Sequence, residues 1–169
     1  MIVVIVDGYN IIGAWEELQR LKEKDIGQAR DRLIEWMAEY QAYSGHRVIV
    51  VFDAYYVHGV ATKTTAFNIE VIYTKEKETA DECIEKLVKE VKDIRTQVYV
   101  ATSDFAEQRT IFGSGALRKS ARELWIETNN MQQDIEKTIE KHYKKQANTK
   151  ITLDQKTLET FEKWRRGQM

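Results

Sequence analysis

Four aspartates of this sequence occur at positions where their carboxylates could take part in catalysis. Asp7, Asp53 and Asp104 each lie at or just beyond the end of a short apolar run, and Asp81 opens a predicted helix. Carboxylates that gather repel one another unless cations neutralise them, and Mg²⁺ and Mn²⁺ prefer oxygen ligands. One or two such ions can lower the pKa of a water and stabilise phosphodiester oxygens during in-line attack. With no catalytic His or Cys nearby, the acids indicate metal-assisted hydrolysis, with Asn10 as a further candidate.

Short apolar runs in the sequence predict the strands that position these acids. Residues 2–6, 48–52 and 98–101 read as buried strands, and the alternating run at 67–73 as a strand with one wetter face. Helices are predicted at about 12–24, 28–43, 79–91, 105–112, 120–146 and 152–164, with a loop at 55–65. This order predicts an α/β fold with a central, mainly parallel sheet of at least four strands, plus C-terminal helices. Ligands of such sheets lie at the carboxyl ends of the strands, where the four acids would meet.

Ordinary structural roles could also explain each acid taken alone. Thr79 and Glu82 match a capping box, in which Asp81 would only interact favourably with the helix dipole. Asp104 allows a similar capping interpretation, and the other two could be turn residues. The two interpretations are compatible, because a helix N-terminus can hold an acid in place. Four acids at one edge of a sheet are much harder to explain by chance.

The length and composition fit one folded domain. The 169 residues predict a domain over 1–147 and a C-terminal helical extension over 148–169 packed on it. A single cysteine, Cys83, excludes a disulfide framework and a Cys-based zinc site. No apolar run approaches the roughly 20 residues of a membrane span, so a cytoplasmic protein without a membrane partner is expected.

The charges are unevenly distributed along the chain. Lysine and arginine number 26 and acidic residues 27, a balance that at first argues against a nucleic-acid partner. Residues 137–169, however, carry nine basic and four acidic side chains, a net charge of +5, which leaves −6 on residues 1–136. The balance therefore combines a cation-seeking acidic site with a basic segment suited to a polyanion such as a nucleic acid.

Five short motifs occur in order within residues 2–125. They are Asp7-Gly8-Tyr9-Asn10, Val51-Phe52-Asp53-Ala54, Thr79-Ala80-Asp81, Thr102-Ser103-Asp104, and Gly115-Ala116-Leu117-Arg118 leading into Ser120-Ala121-Arg122-Glu123-Leu124. Together they resemble the NYN domain, a branch of the PIN-like nucleases, and most of all its bacterial YacP-like subfamily.

The resemblance implies a PIN-like α/β/α sandwich and an Mg²⁺- or Mn²⁺-dependent endoribonuclease. By the same resemblance Asp7, Asp81 and Asp104 are the catalytic, metal-binding acids, with Asn10 and Asp53 in supporting positions, Asp53 as a further metal ligand. It also implies mRNA decay in association with the ribosome, with no small-molecule cofactor.

Basic and aromatic residues near this edge are candidates for holding RNA through phosphate contacts and base stacking. They are Arg118, Lys119, Tyr55, Lys75, Lys77 and Arg109, with Arg118 favoured because it lies inside a motif. The four tryptophans, Trp15, Trp36, Trp125 and Trp164, lie among helical apolar positions and are expected to pack inside the fold.

Two other function classes stay open. One is a catalytically silent RNA- or ribosome-binding module on the same fold, which the four retained acids disfavour because they repel RNA. The other is a phosphohydrolase that uses an aspartate after the first strand as nucleophile. Such enzymes typically carry Asp-x-Asp, whereas Tyr9 occupies the second position here.

Overall fold

Five parallel strands and one antiparallel strand form the sheet of this protein. The computed structural model describes residues 1–54, 63–66, 68–104, 111 and 113–167, with the backbone alone at 63–66 and 149–155. Within these residues the strands are β1 (Ile2–Asp7), β2 (Arg47–Phe52), β3 (Lys63–Ala66), β4 (Ile69–Tyr73), β5 (Gln97–Ala101) and β6 (Leu117–Lys119). Their order is β3-β4-β2-β1-β5-β6, and only β3 runs antiparallel to its neighbour. The predicted mainly parallel sheet is confirmed.

Helices cover both faces of this sheet. The described helices are α1 (Gly8–Ala14), α2 (Glu16–Lys24), α3 (Ile26–Ser44), α4 (Ala80–Val91) and α5 (Ala121–Arg165). Helix α4 contacts β1, β2 and β5, whereas α1 contacts β1 and β2 and α3 contacts β2 and β4. The arrangement is the α/β/α class expected from the sequence.

The buried strand β1 shows why its sequence is apolar at every position. Val3 and Ile5 pack in one cluster with Ile84 and Val88 of α4. Because side chains alternate along a strand, the residues between them face the opposite layer, and Val4 is also fully buried. A strand covered on both faces therefore carries a continuous β-branched run rather than an alternating one.

Two short strands and one helix start differ from the sequence-based expectation. Strand β3 occupies Lys63–Ala66, where the end of a loop at 55–65 was predicted; residues 55–62 lie outside the described part of the chain. Strand β6 has only three residues and no apolar pattern, and it forms because β5 offers its edge for pairing. Helix α1 begins at Gly8, directly after β1 and earlier than predicted, and Trp15 separates it from α2, so the single helix predicted at about 12–24 is wrong.

The C-terminal helix is longer than the sequence suggested. Helix α5 runs without interruption over 45 residues, so the predicted division into helices at about 120–146 and 152–164 is wrong. Neither glycine nor proline occurs between residues 121 and 165, and nothing in the local sequence stops the helix. In the part of the chain that the structure describes, none of the helices is both long and apolar enough to span a membrane.

The chain forms two compact units, Met1–Thr128 and Asn129–Met169. The first unit contains the whole sheet and all four aspartates discussed above. The division into a domain over 1–147 and an extension over 148–169 stays a prediction.

Gly8 allows α1 to approach β2 closely, and we expect Gly8→Ala to destabilise the fold. A Cβ atom at Gly8 would overlap the Phe52 ring and lie 3.0 Å from the Val51 carbonyl oxygen. Phe52 is fully buried, with its ring centroid 5.1 Å from that of Tyr9 and 5.6 Å from that of Tyr73, so the ring has little room to move. We expect a loss of about 1–3 kcal/mol in the free energy of unfolding, measured by urea denaturation.

Gly13→Ala is the matched control, because it lies in the same helix and a Cβ there meets nothing within 4 Å. It should be neutral or stabilising by up to about 1 kcal/mol. Equal losses for the two variants would contradict the close approach at Gly8.

Candidate active site

Three of the four aspartates lie at the carboxyl ends of neighbouring strands. Asp7 is the last residue of β1, Asp53 follows β2 and Asp104 follows β5 by three residues. The chain passes from β1 to β2 and β4 on one side, then crosses to β5 on the other side of β1. Ligands of open α/β sheets bind at such a switch in strand order. The strand order therefore brings these acids to the edge that the sequence predicted.

Asp81 reaches the same edge from α4. Thr79 caps this helix, since its hydroxyl accepts a hydrogen bond of 3.2 Å from the Glu82 N–H. The predicted capping role of Thr79 is thus confirmed, and Asp81 lies in the first turn, where the helix dipole favours a negative charge. The charges of Asp104 and Asp53 nevertheless raise the Asp81 pKa, after the larger effect of burial. Asp81 therefore belongs both to a helix start and to the acidic group.

Asp7 is the buried centre of this group. Its side chain is 8% exposed, and its pKa is raised from 3.8 to about 7. Burial is the largest cause, followed by the charge of Asp81, while a backbone hydrogen bond from Asn10 lowers the pKa. The charges of Asp104 and Asp53 raise it further. The three other carboxylates thus add to burial in disfavouring the charged form of Asp7.

Asn10 connects the start of α1 to the segment that carries Asp104. Its side-chain oxygen accepts hydrogen bonds from the Ser103 N–H at 2.7 Å and the Ser103 hydroxyl at 2.9 Å. The Asp104 N–H donates to the Thr102 hydroxyl at 3.1 Å. The structure therefore places the Asn10 side chain against the segment that carries Asp104, and its predicted catalytic role stays a prediction. Ser103 was not singled out from the sequence, although it lies inside a quoted motif.

Thr74 fixes the backbone around Asp53. The Thr74 N–H donates to the Phe52 carbonyl at 3.0 Å, and the Thr74 hydroxyl accepts from the Ala54 N–H at 2.9 Å. Thr74 is 1% exposed, so these bonds are shielded from water. The residues on both sides of Asp53 are therefore tied to the end of the neighbouring strand.

The neighbouring basic residues Arg118 and Lys119 make different contacts. Lys119 forms an ion pair of 2.8 Å with Glu127, lies 5.1 Å from the centroid of the Tyr99 ring, and has a side chain only 12% exposed. Its charge serves the fold, which disfavours the predicted contact with RNA. Arg118 donates from Nε to the Thr102 carbonyl at 3.3 Å, which places it beside the Asp104 segment.

The remaining RNA-contact candidates fall into two groups. Lys75 and Lys77 are exposed in the turn between β4 and α4, close in sequence to Asp81. Tyr55 and Arg109 lie outside the described residues, so their predicted roles stay predictions.

Two of the four tryptophans do not pack as the sequence suggested. Trp15 and Trp36 are 3% and 6% exposed, as expected, but Trp125 is 46% exposed and Trp164 is 68% exposed. On α5 the fully buried Leu124 directly precedes Trp125, and successive helical residues point about 100° apart. Helical spacing alone did not distinguish the two faces of this helix.

The single cysteine offers no nucleophile to the site. Cys83 is buried on α4, and burial, aided by the Glu78 charge, raises its pKa to about 11. The thiolate is therefore scarce at neutral pH, as expected for a small buried apolar residue.

The four aspartates supply carboxylate oxygens, the type of ligand that hard divalent cations such as Mg²⁺ prefer. Among the described residues, no three His, Cys, Asp or Glu side chains lie close enough together to hold one metal ion. Mg²⁺, however, is usually held by one or two carboxylates and keeps several waters. The buried Asp7 carboxylate, with its raised pKa, is the group that a nearby cation would stabilise most.

Comparisons with known proteins agree on one group of relatives. Residues 4–166 match the model of the YacP-like NYN domain. The chain is 54% identical over 169 residues to "Uncharacterized protein YacP" of Bacillus subtilis (strain 168), covering 100% of this chain and 99% of that protein. It is similar to the crystal structure of Rae1 (YacP) from Bacillus subtilis, with a TM-score of 0.78, 54% identity and coverage of 99% and 96%. The W164L mutant of that protein matches with a TM-score of 0.74 over 83% of each chain, again at 54% identity.

Proposed function

Because this chain belongs to the YacP-like NYN domain family, we propose that it is an endoribonuclease that depends on Mg²⁺ or Mn²⁺. The family supports a nuclease-type, RNA-related function. The finer proposal rests on the group of four carboxylates to which Asp7 belongs. Burial and the charges of the other three raise the pKa of Asp7 to about 7. Such a group destabilises the fold unless a cation accompanies it, and few roles other than divalent-metal chemistry account for it.

In this proposal the aspartates bind the metal, and neighbouring residues hold the aspartates in position. Asp7, Asp81 and Asp104 would hold the metal, one or two of them by direct contact and the rest through its waters, with Asp53 as a further acidic neighbour. When bound, a divalent ion supplies positive charge and Lewis acidity to a phosphodiester during attack by water. Asn10 keeps the Asp104 segment in place through Ser103. The burial of Asp7 limits water on one side of the carboxylate group.

We further propose mRNA associated with the ribosome as the substrate. The support is the net charge of +5 on residues 137–169, together with the exposed basic side chains of the described part of that segment. A basic surface of this kind attracts the phosphate backbone of RNA without reading its sequence.

Cleavage of a circular RNA tests the proposed activity, because a circle has no end for an exonuclease. Purified protein should linearise the circle with Mg²⁺ or Mn²⁺ and leave it intact with EDTA. The same assay on an mRNA bound to ribosomes tests the proposed substrate. Cleavage that persists in EDTA, or degradation of linear RNA only, would overturn the proposal.

One observation favours a catalytically silent RNA-binding module instead. No three of the acids, nor any other three metal-ligating side chains among the described residues, converge closely enough for one ion. This alternative expects binding of RNA that persists without metal and no cleavage of either circular or ribosome-bound RNA. The circular-RNA assay therefore separates the two functions.

Asn10→Ala should lower the cleavage rate by about 10- to 100-fold, because it removes the acceptor that holds Ser103 beside Asp104. Initial rates over a series of Mg²⁺ concentrations measure the effect. Ser103→Ala is the control, since it loses the hydroxyl contact but keeps the stronger anchor through its backbone N–H. It should retain most of the activity. An Asn10→Ala rate within about twofold of the wild-type rate would show that this anchor has no catalytic importance.

A further inference from the structure

A cleft of about 850 Å³ lies within the unit Met1–Thr128, between the start of α2 and the start of α5. Ser103 lines this cleft and is also the residue that Asn10 holds. The cleft therefore borders the candidate active site, one residue from Asp104. Apart from Arg118, which the sequence already suggested as an RNA contact, the roles assigned above use none of its other lining residues. We call it the Trp125 cleft, after the residue that marks its wall.

The start of α5 gives this cleft a fixed wall. The Ser120 hydroxyl accepts from the Glu123 N–H at 3.1 Å, and the Glu123 carboxylate accepts from the Ser120 N–H at 2.8 Å, which completes a capping box. Arg122 and Trp125, three residues apart, then share one face of the helix, and both line the cleft. The buried Trp15 indole N–H donates to the Ala121 carbonyl at 2.8 Å, which anchors this wall to the start of α2.

Trp125 offers a large aromatic surface to whatever occupies the cleft. Its side chain is 46% exposed, whereas Trp15, which also lines the cleft, is 3% exposed. An exposed indole in a concave site is suited to stacking on a planar ring. Unpaired bases are the planar groups that single-stranded nucleic acid presents, and each has a face that can stack.

The charged residues of the cleft favour an anionic occupant. Three arginines line it, Arg20, Arg118 and Arg122, against the two carboxylates of Glu16 and Glu17. Glu16 pairs with Arg20 at 2.5 Å, and Glu17 lies 3.8 Å from Arg32, an arginine outside the cleft. Both acids thus have basic partners, and the arginines exceed them by one within the lining. A phosphate backbone with unpaired bases matches this combination of guanidinium groups and an exposed indole.

We propose that the Trp125 cleft binds unpaired nucleotides of an RNA strand, with Trp125 stacked on a base and Arg122 beside a phosphate. The link to cleavage rests on the proposed function, because a strand seated here continues past Ser103 to the four acids. The binding itself does not depend on catalysis. Paired RNA is disfavoured as an occupant because its bases are already stacked on one another.

Trp125→Ala tests this cleft, with affinity for a short, fluorescently labelled oligouridylate measured in EDTA so that no cleavage occurs. We expect the affinity to fall by about 10-fold, and Trp125→Phe to restore most of it, because a phenyl ring can still stack. Ile126→Ala is the matched control, since Ile126 is 42% exposed, follows Trp125 on the same helix and does not line the cleft. Its affinity should equal that of the wild type. Circular dichroism checks that each variant is folded.

Arg122→Gln tests the phosphate contact separately. We expect weaker binding and a shallower dependence of the affinity on salt, by a slope of about 0.7 for one lost contact with single-stranded RNA. Arg95→Gln is the control, because Arg95 is exposed and precedes β5 at the opposite edge of the sheet. Unchanged affinity in both Trp125→Ala and Arg122→Gln would overturn the proposal.

The outcomes for the cleft and for the proposed function can be told apart. If wild-type protein cleaves RNA and Trp125→Ala changes neither affinity nor KM, the cleft proposal fails and the nuclease stands. If wild-type protein cleaves no RNA but Trp125→Ala lowers its affinity, the nuclease fails and the cleft stands. With both correct, Trp125→Ala raises KM with little change in kcat. An equal loss of affinity for a duplex of matched length would contradict recognition of unpaired bases.

Discussion

Replacing Asp81 with Asn is expected to lower the rate of RNA cleavage by a factor on the order of 10²–10³, while RNA affinity in EDTA does not fall, because one repelling charge is removed. The substitution keeps the shape of the side chain and removes one charge from a group whose members act on one another electrostatically. A site that stabilises charge in the transition state loses most when a charged ligand is neutralised. Initial rates on circular RNA with saturating Mg²⁺ measure the effect.

Glu82→Gln is the matched control for Asp81→Asn. Glu82 lies next to Asp81 in the first turn of α4, is exposed, and carries the same charge. If Asp81 only served the helix dipole, both substitutions would cost up to about 1 kcal/mol of stability and neither would change the rate. We expect Glu82→Gln to cleave at nearly the wild-type rate. Equal rates for the two variants would contradict the assignment of Asp81 to the site.

Asp7→Asn should have the second large effect, because it should stabilise the metal-free protein. The wild-type carboxylate is buried beside three other acids, and its pKa rises from 3.8 to about 7. Ionising such a group in the folded state at pH 8 costs up to about 4 kcal/mol relative to the unfolded chain. An amide carries no charge and can still accept the Asn10 N–H. We therefore expect the free energy of unfolding in EDTA at pH 8 to rise by about 2–4 kcal/mol.

The pH dependence of stability follows from the same shift. Between pH 3.8 and about 7 the folded protein binds more protons at Asp7 than the unfolded chain does. The Asp7 contribution to stability is therefore fully present below pH 3.8 and is lost as the pH rises through about 7. Urea denaturation in EDTA should show this decline for the wild type. The decline should be weaker or absent in Asp7→Asn.

Addition of Mg²⁺ and the variant Asp93→Asn provide two controls for the predicted effect of Asp7→Asn. Adding Mg²⁺ should stabilise the wild type and narrow its deficit relative to Asp7→Asn, since only the folded wild type has the full set of acids. Asp93→Asn is a control of opposite sign, because the Arg95 N–H lowers the Asp93 pKa and the charge there favours the fold. It should lose stability at neutral pH. A loss of stability in metal-free Asp7→Asn as well would contradict the account of Asp7.

The sequence predicted the elements whose signals are local. The continuous apolar run of β1 reflects burial on both faces, and the alternation of apolar and polar residues in β4 reflects burial on one face. The cap at Thr79 depends on a single side-chain oxygen that accepts a nearby backbone N–H. Strand β6 lacks such a signal, because three residues at an edge depend on pairing with β5. The uninterrupted helix α5 was missed because a polar stretch with no stop signal was interpreted as a break.

The grouping of the aspartates could be predicted from the sequence, because apolar runs show where strands end and parallel neighbours bring their carboxyl ends together. Contacts between distant residues were not visible. Asn10 lies 93 positions from Ser103, and only the sheet order places them in hydrogen-bond distance. The pairing of Lys119 with Glu127 and the exposure of Trp125 likewise depend on how the first residues of α5 pack within the unit Met1–Thr128. Residue type alone therefore predicted neither the ion pair of Lys119 nor the exposure of Trp125.

A crystal soaked in Mn²⁺ locates the proposed cation, because manganese gives an anomalous signal. The proposed nuclease holds the divalent cation that cleavage requires at Asp7, Asp81 and Asp104. We expect an anomalous peak among these carboxylates in the wild type and a much weaker peak in Asp81→Asn. The absence of a peak there, at Mn²⁺ concentrations that support cleavage in solution, would contradict the claim.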